Sequence, residues 1–403
     1  MNHLQVDCAD AARAYGYGKN GRIVLKGQVV NVLLDEIAKK IDKNANVRGG
    51  LFINFAKMIN MKKSLLFCLS AVMLLSSGCT GRNNNPRNEG FDPEPEEPAK
   101  TSQVVMSYVQ PTQWNFDNYF SLIDWSCLTH IIPSFCYVQP DASLKTDVLD
   151  NYISQIAAAA KENGVKVMVS VRSTTGKSLF SPAVATPELR EKLAQNIMDY
   201  VRRYDLDGVD IDFEEYEKVG SLQQELYDLF ARIRSKMDGD MLFSSAIIPG
   251  DWVKYGTQWH KYFDYINIMS YDTPRSAQQF ASFDNYVWDV EYCRNTLGIP
   301  YSKLAAGMPF YGHTWEEGIP GTDSAGGITF HNIMEYYRDR NADAKYLDDI
   351  GQTFYNGHAT IRRKCEYAKE NGLGGVMIWQ LFQDARRADE SLLKVIGDTM
   401  FGE

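Results

Sequence analysis

Eight short β-rich runs alternate with amphipathic helical stretches through most of this 403-residue chain. This alternation predicts parallel βα units, because a strand needs a crossover before the next can run in the same direction. Eight units in about 300 residues favour a closed (β/α)8 barrel. An open doubly wound sheet is the alternative, but the chain lacks the glycine-rich dinucleotide and phosphate loops of that class. The predicted strands are 104–109, 130–137, 166–171, 208–213, 242–248, 265–270, 304–310 and 375–380, and the clearest predicted helices are 148–163, 187–204, 222–237, 285–297 and 359–371.

A second pattern lies upstream of the barrel, at 61–79. It has a basic start at Lys62-Lys63, an apolar run and small residues before Cys79. These are the parts of a secretory signal peptide. The cysteine directly after Ser-Gly resembles a bacterial lipoprotein cleavage site, so we predict that Cys79 is lipid-modified and anchors the protein to the bacterial cell envelope, on its periplasmic or cell-surface side. Ordinary secretion with cleavage nearby is the alternative.

The signal pattern divides the remaining sequence. We predict that residues 1–60 reflect an over-extended start and are not part of the mature protein; a small N-terminal module is the alternative. Residues 80–101 are polar and rich in Pro and Glu, which predicts a flexible linker between the anchor and the body. Residues 102–403 are the predicted catalytic domain.

Composition narrows the classes of partner. The formal net charge is −9, and basic pairs such as Arg202-Arg203 lie on predicted helices. Nucleic-acid binding requires a basic patch and is therefore disfavoured, whereas a neutral substrate is compatible with this charge. No CxxC or Cys/His metal spacing is present, so the cysteines of the body are expected to be small buried side chains, with one disulfide left open. These cysteines are Cys127, Cys136, Cys293 and Cys365.

The predicted fourth strand carries carboxylates at every second position. Because side chains alternate between the two faces of a strand, Asp210, Asp212 and Glu214 share one face, and the apolar residues between them share the other. In a barrel the acidic face points inward, where burial and like charges raise carboxyl pKa values. A raised pKa keeps one carboxylic acid protonated near neutral pH, which suits catalysis at the carboxyl end of a barrel strand.

Two alternatives compete with catalysis at this strand. A solvated acidic edge conflicts with the apolar residues on the opposite face. A divalent-metal site would use the same oxygen ligands, but neither a second acidic cluster nor a pair of histidines is evident to complete it. We therefore expect carboxylate catalysis without a metal, with Glu214 as the acid.

The spacing of two of these carboxylates narrows the chemistry. Asp212 and Glu214 are two residues apart on one strand, so their Cα atoms lie roughly 6–7 Å apart. In many retaining glycosidases the two carboxylates flank the sugar from opposite sides, whereas these two approach from the same side. A substrate that supplies its own nucleophile removes this difficulty. The 2-acetamido oxygen of N-acetylglucosamine can attack the anomeric carbon while Glu214 protonates the leaving oxygen and Asp212 stabilises the acetamido nitrogen.

Several segments then carry a family resemblance. Residues 207–214, DGVDIDFE, match the DGxDxDxE signature of family 18 glycoside hydrolases, the chitinase family. Residues 269–272, MSYD, resemble the MxYD motif of that family. Residues 307–312 and 374–379 are similar to its seventh-strand and eighth-strand segments, and 105–108 look like its first strand. The resemblance extends over essentially the whole body of the chain.

The resemblance implies a role for each matching position. Glu214 looks like the acid/base, Asp212 like the residue that orients the acetamido group, and Asp210 like the residue that shares a proton with Asp212. Tyr271 would donate its hydroxyl to the acetamido oxygen. The residues implied to contact the sugar are Trp379 as the apolar floor, Asp272, Met269 and Tyr108. Core packing is the alternative role for Trp379 and Tyr108, and for Tyr108 it remains open.

One motif departs from the family pattern. The third strand of the family usually ends in SxGG, whereas this chain reads Ser-Val-Arg172-Ser173. We expect the added bulk and positive charge to change the substrate end of the cleft or the pKa values of the acids. Between the seventh and eighth strands, residues 315–373 predict one clear helix and a moderate loop. This length predicts a modest insertion, a shallower cleft and endo-type cleavage.

These features predict a hydrolase of β-1,4-N-acetylglucosaminide bonds, acting on chitin or chitooligosaccharides. An endo-β-N-acetylglucosaminidase of the N-glycan chitobiose core would use the same residues. A non-catalytic carbohydrate-binding protein on the same barrel is a third alternative, but proteins of that kind typically lack the acid. No cofactor is implied, because the acid, the carboxylate and the acetamide of the substrate suffice. We expect a monomer that meets a membrane only through the anchor at Cys79.

Overall fold

A computed structural model of the protein describes residues 103–174, 177–272 and 281–402. The predicted start region at 1–60, the signal peptide with Cys79 and the linker at 80–101 lie outside the described residues. Within the described ranges, no helix combines the length and the apolar character that crossing a membrane requires.

The described chain forms a closed barrel of eight parallel strands. In spatial order the strands run β1-β8-β7-β6-β5-β4-β3-β2, and pairing of β1 with β2 closes the ring. The two-residue strand Leu144–Lys145 adds to the outside of β2 in antiparallel fashion. The predicted (β/α)8 barrel is therefore confirmed. The strands are β1 Val104–Val109, β2 His130–Val138, β3 Lys166–Arg172, β4 Gly208–Asp212, β5 Leu242–Ile247, β6 Tyr265–Ile268, β7 Leu304–Pro309 and β8 Gly375–Trp379.

Helices cover the outside of this ring, and the five predicted ones are present with small differences at their ends. The first of them is shorter than predicted, because residues Leu149–Asn151 form a separate 3-10 turn before the helix begins at Ile153. The helix Pro187–Arg203 shows why these segments start where they do: the Thr186 side chain accepts a hydrogen bond from a backbone N–H, and proline follows. The α-helices of the described residues are Gln113–Tyr119, Ile153–Glu162, Phe180–Ala183, Pro187–Arg203, Gln223–Lys236, Phe283–Asn295, Phe330–Tyr337, His358–Glu370 and Leu392–Phe401.

Apolar side chains form two separate clusters, one between the strands and helices and one inside the barrel. The apolar face of β4 belongs to the outer cluster, where Val209, Ile211 and Phe213 are fully buried. The acidic face therefore points into the barrel, as the alternation predicted. Gly208 begins this strand where β5 passes very close: a Cβ there would lie 2.1 Å from the Leu242 carbonyl oxygen.

The insertion between β7 and β8 holds more structure than predicted. Besides the predicted helix, now His358–Glu370, it contains a four-stranded antiparallel sheet and the helix Phe330–Tyr337. The extra strands escaped prediction because they are two to four residues long and pair with distant segments. In sheet order they are Gly327–Thr329, Tyr311–Thr314, Thr353–Phe354 and Asp349–Ile350.

The four cysteines of the described ranges are all buried and none forms a disulfide. They pack among apolar side chains of the outer cluster. The prediction of small buried side chains is confirmed, and the disulfide that the sequence left open is not formed. The barrel is stabilised by burial of apolar surface rather than by a covalent link.

Candidate active site

Most of the predicted site residues line one pocket, which opens at the carboxyl ends of the strands. Ala246, Ile248 and Met377 add apolar surface to this pocket, and Tyr216 adds an aromatic ring. Asp210 lies below, fully buried inside the barrel. The predicted residues that line the pocket are Tyr108, Asp212, Glu214, Met269, Tyr271, Asp272 and Trp379.

Asp210 is held by donors from four strands. Its Oδ2 accepts hydrogen bonds from Ser170 Oγ at 2.7 Å and Tyr108 OH at 3.0 Å. Its Oδ1 accepts from Ser244 Oγ at 2.6 Å and Asn267 Nδ2 at 3.2 Å. Burial raises the pKa of Asp210, and these hydrogen bonds oppose that rise. The carboxyl group is therefore fixed in place directly beneath the site.

Asp212 ends β4 and is buried with only 3% exposure. Its Oδ2 lies 3.4 Å from Arg172 Nη1. Its Oδ1 is buried without a hydrogen-bond partner among the described residues. Burial raises the pKa of Asp212 well above its usual range, Glu214 and Asp210 raise it further, and Arg172 lowers it. A buried oxygen without a partner is unusual, and this one can accept a hydrogen bond from a ligand.

Glu214 follows two residues after the end of β4, and its side chain is 30% exposed, so it reaches solvent while Asp210 and Asp212 do not. Burial raises the pKa of Glu214, whereas the Arg172 charge and a hydrogen bond with Tyr216 lower it. A carboxyl group at the pocket surface with a raised pKa is suited to deliver a proton.

The departure at the end of β3 brings a cation into this site. Arg172 forms ion pairs with both Glu214 and Asp212. Its guanidinium lies over the ring of Phe135, 4.5 Å from the centroid. Phe135 in turn stacks near Trp379, with ring centroids 5.9 Å apart. The sequence predicted the charge at position 172, but Phe135 carried no signal of its own because it lies within an otherwise ordinary apolar strand.

The second departure, Ser173, has a partner in the acidic segment. Ser173 Oγ donates to Glu215 Oε1 at 2.7 Å. The same carboxylate accepts from the Phe180 N–H at 2.7 Å, the Ser181 N–H at 3.3 Å and the Ser181 hydroxyl. Glu215 is therefore turned away from the pocket and holds the chain that follows β3. Sequence reasoning did not find this role, although an acid next to Glu214 must point to another face.

Tyr271 and Asp272 line the pocket from the segment that follows β6. Tyr271 is buried, and its hydroxyl lies 3.7 Å from Met377 Sδ. Burial raises the pKa of Tyr271 well above its usual range, so the group stays a neutral donor. Asp272 has a positive φ of 56°, a conformation that Asp tolerates better than most residues. It accepts from Tyr311 OH at 2.5 Å and lies 3.2 Å from His313 Nε2.

Tyr311 and His313 come from the first strand of the insertion, Tyr311–Thr314, and were not predicted as site residues. The sequence pointed to this region only through Tyr311, which lies within the segment that resembles the seventh strand of the family. The insertion therefore contributes to the wall around Asp272 and does not only cover the barrel.

Trp379 and Tyr108 pack against each other and both line the pocket. Trp379 ends β8 and lies 5.7 Å from the ring of Tyr108 at an angle of 59°. Tyr108 belongs to the inner apolar cluster, lines the pocket and donates its hydroxyl to Asp210. Met269 packs in the same cluster and reaches the pocket. Core packing and pocket lining are therefore not exclusive at Tyr108.

Among residues 103–174, 177–272 and 281–402, no three His, Cys, Asp or Glu side chains are grouped as a metal site would require. The neighbours of the acidic strand are instead hydroxyl, amide and guanidinium donors. The arrangement can supply a proton, accept an N–H and hold a flat apolar ring.

Comparison with known proteins agrees with this geometry. The sequence model described as Glycosyl hydrolases family 18 matches residues 103–384. Chitinase A1 of Niallia circulans is 27% identical over 308 residues, which is 60% of this chain and 44% of that protein. A class V chitinase of Medicago truncatula, CHIT5a, is 26% identical over 340 residues, which is 70% of this chain and 88% of that protein. The chain thus spans less than half the length of the first relative and most of the second.

Solved structures show the same likeness. A chitinase from Bacteroides thetaiotaomicron is 36% identical with a TM-score of 0.71, covering 75% of this chain and 98% of that chain. The GH18 chitinase ChiB of Flavobacterium johnsoniae is 27% identical with a TM-score of 0.63, covering 74% of this chain and 94% of that chain. The family match begins just before β1 and ends beyond β8, and so this chain belongs to the glycosyl hydrolases of family 18.

Proposed function

We propose that the protein hydrolyses β-1,4-N-acetylglucosaminide bonds, with chitin or chitooligosaccharides as the substrate, by substrate-assisted retaining catalysis. One observation carries the proposal: Asp212, whose buried Oδ1 has no hydrogen-bond partner in the described part of the chain, lines the same pocket as Glu214 and Trp379. An acetamido N–H is a donor of the kind that this oxygen needs. The relatives that are named chitinases support the choice of substrate.

In the first step Glu214 gives its proton to the glycosidic oxygen, and the bond from that oxygen to the anomeric carbon breaks. The acetamido carbonyl oxygen of the same sugar forms a bond to the anomeric carbon. Asp212 accepts the acetamido N–H and stabilises the positive charge of the resulting oxazolinium ion. Tyr271 donates its hydroxyl to the acetamido oxygen, and Trp379 supports the apolar face of the sugar.

In the second step water attacks the anomeric carbon and Glu214 takes up the proton of that water. The bond to the acetamido oxygen breaks, so the product keeps the original anomeric configuration. Asp210 and Asp212 are both buried with raised pKa values. We propose that they share one proton, and that Asp212 is ionised when the positive charge develops beside it.

The carboxylates of the pocket also support a nucleophile supplied by the substrate rather than by the enzyme. The carboxylates that line the pocket in the described chain are Asp212, Glu214 and Asp272. The first two come from the same end of β4. Asp272 already accepts a hydrogen bond from Tyr311 and lies beside His313. Endo-type cleavage, export and an anchor at Cys79 remain predictions from the sequence.

Product analysis by mass spectrometry tests the proposal. The full chain and its Glu214→Gln variant are incubated separately with chitohexaose and with a high-mannose N-glycopeptide. We expect the parent to cleave chitohexaose and the variant to lose at least about 100-fold in rate, which is the lower end of the roughly 100- to 10,000-fold that a general acid contributes. Cleavage of the glycopeptide alone would assign the enzyme to N-glycans. Full activity of the variant would contradict the role of Glu214.

A further inference from the structure

Arg172 is a buried cation at the centre of the acidic site, where the family pattern has glycine. Its side chain is only 10% exposed. One terminal nitrogen, Nη2, donates to Glu214 Oε2, while Nη1 lies 3.4 Å from Asp212 Oδ2. Nε donates to the Ser173 carbonyl oxygen at 3.2 Å, and the Phe135 ring covers one face of the guanidinium. The group is therefore fixed on several sides.

We propose that Arg172 is a positioning residue for the acid, which holds Glu214 by Oε2 and stabilises the negative charge that remains when Glu214 donates its proton. This inference rests on the proposed function, in which Glu214 is the acid. The inference gives a role to Arg172, a residue that the family pattern does not contain. It also assigns a separate task to each oxygen of the Glu214 carboxyl group.

Geometry gives the positioning part. Because Oε2 accepts a hydrogen bond from Arg172, we assign the proton that moves to the glycosidic oxygen to Oε1. Arginine suits this task because its planar fork fixes orientation and it stays charged at any working pH. A lysine would supply the charge without a fork that reaches Glu214 and Asp212 together.

Charge gives the second part. When the Glu214 proton moves to the glycosidic oxygen and the glycosidic bond breaks, Glu214 becomes an anion beside a fixed cation. Arg172 therefore makes Glu214 a stronger acid in this step and a weaker base in the step that takes a proton from water. We expect it to move the fall of activity at high pH, where Glu214 is already ionised, towards lower pH.

The other groups near Glu214 do not duplicate this charge. Among the described residues, the titratable groups that interact with Glu214 are Asp212, Tyr216, Tyr255, Tyr271 and Arg172, and Arg172 is the cation of this set. The tyrosines are buried with raised pKa values and stay neutral, while Asp212 adds negative charge. Removing Arg172 thus leaves the carboxyl groups of Asp212 and Glu214 without a compensating cation from the described part of the chain.

The test is the pH dependence of kcat/KM with chitotetraose for the full chain, Arg172→Gly and Arg172→Gln. Because a neighbouring opposite charge lowers a carboxyl pKa by about 1–3 units, we expect the basic limb of both variants to move up by about one pH unit. Arg172→Lys should keep the limb close to that of the parent and lower kcat, since it keeps the charge and loses the fork.

Arg190→Gln is the matched control. Arg190 is also partly buried and pairs with Asp228 Oδ2 at 2.5 Å, but on the outer helices. The Arg190→Gln substitution should lower the melting temperature and leave the pH dependence of kcat/KM unchanged. A basic limb that stays in place in both neutral Arg172 variants, while Glu214→Gln is inactive, would overturn this inference alone. An active Glu214→Gln would instead overturn the proposed function. If Arg172→Gly does not fold, the position of the basic limb in Arg172→Gln alone tests the inference, with the same two possible results.

Discussion

Asp212 carries the most unusual environment of any single side chain in the site. It is buried, it lies between the carboxyls of Asp210 and Glu214 in sequence, and its Oδ1 has no partner among the described residues. Within the described ranges, Arg172 alone lowers the pKa of Asp212, against burial and two neighbouring acids. Folding places this group there at a cost in stability, which is expected where a site is arranged for a ligand rather than for the folded chain.

The Asp212→Asn substitution can show that the buried Asp212 carboxyl lowers stability while it supports activity. Because the pKa of Asp212 is raised on folding, the native state binds more protons than the unfolded state between the usual and the raised pKa. The free energy of unfolding therefore falls as pH rises through this window. Asp212→Asn has no such proton to lose, so its free energy of unfolding should change less with pH and exceed that of the parent at pH 8.

Urea unfolding at several pH values measures this difference. The same variant should lose roughly 100-fold or more in kcat/KM, the scale for removing one group that stabilises transition-state charge. A variant that is less stable than the parent at pH 8 would show that Asp212 contributes to the fold as an ion, and would contradict the account of its burial.

At the scale of elements, the chain after β3 is tied to the chain after β4. The carboxylate of Glu215 accepts hydrogen bonds from Ser173, Phe180 and Ser181. Arg172 and Ser173 thus form two neighbouring links between the same strands: Arg172 pairs with the pocket residues Asp212 and Glu214, and Ser173 bonds Glu215. The site depends on both, because the position of Arg172 is set by the strand end that Glu215 holds.

Glu215→Ala should loosen this connection. It leaves buried donors without an acceptor, at about 1–3 kcal/mol for each unsatisfied group, so we expect the free energy of unfolding to fall by roughly 2–4 kcal/mol. Hydrogen exchange at 177–181 should also become faster. Glu217→Ala, an exposed neighbour, is the control and should change neither quantity. Unchanged exchange at 177–181 in the Glu215 variant would contradict the proposed link.

Periodicity predicted the elements well where they are long, and poorly where they are short. All eight barrel strands and five of the helices were predicted from apolar runs and helix caps, because these patterns extend over many residues. The small sheet of the insertion depends on pairing such as His313 with Gly327 and Phe354. Contacts between distant short segments leave no local pattern, and so the wall that His313 and Tyr311 build was not predicted.

At the scale of the whole molecule, the barrel explains why segments far apart in sequence meet at one pocket. The carboxyl ends of β1, β4, β6 and β8 bring Tyr108, Asp212, Tyr271 and Trp379 together. The acidic segment could be predicted because alternate residues of a strand point to the same face, which places its carboxylates together. The partners of Arg172 could not be predicted, because the sequence shows that the side chain is charged but not where a long flexible side chain points.

The central claim is that cleavage proceeds by two successive displacements at the anomeric carbon, the first of them by the acetamido group of the substrate. Proton NMR of the first products from chitohexaose tests it most directly, because the anomer formed at the new reducing end can be recorded before it equilibrates. Two successive displacements at the anomeric carbon retain configuration, so we predict that the β-anomer appears first and the α-anomer only later. If the α-anomer forms first, water attacks the glycosidic carbon directly, and the proposed roles of Asp212 and Tyr271 are wrong.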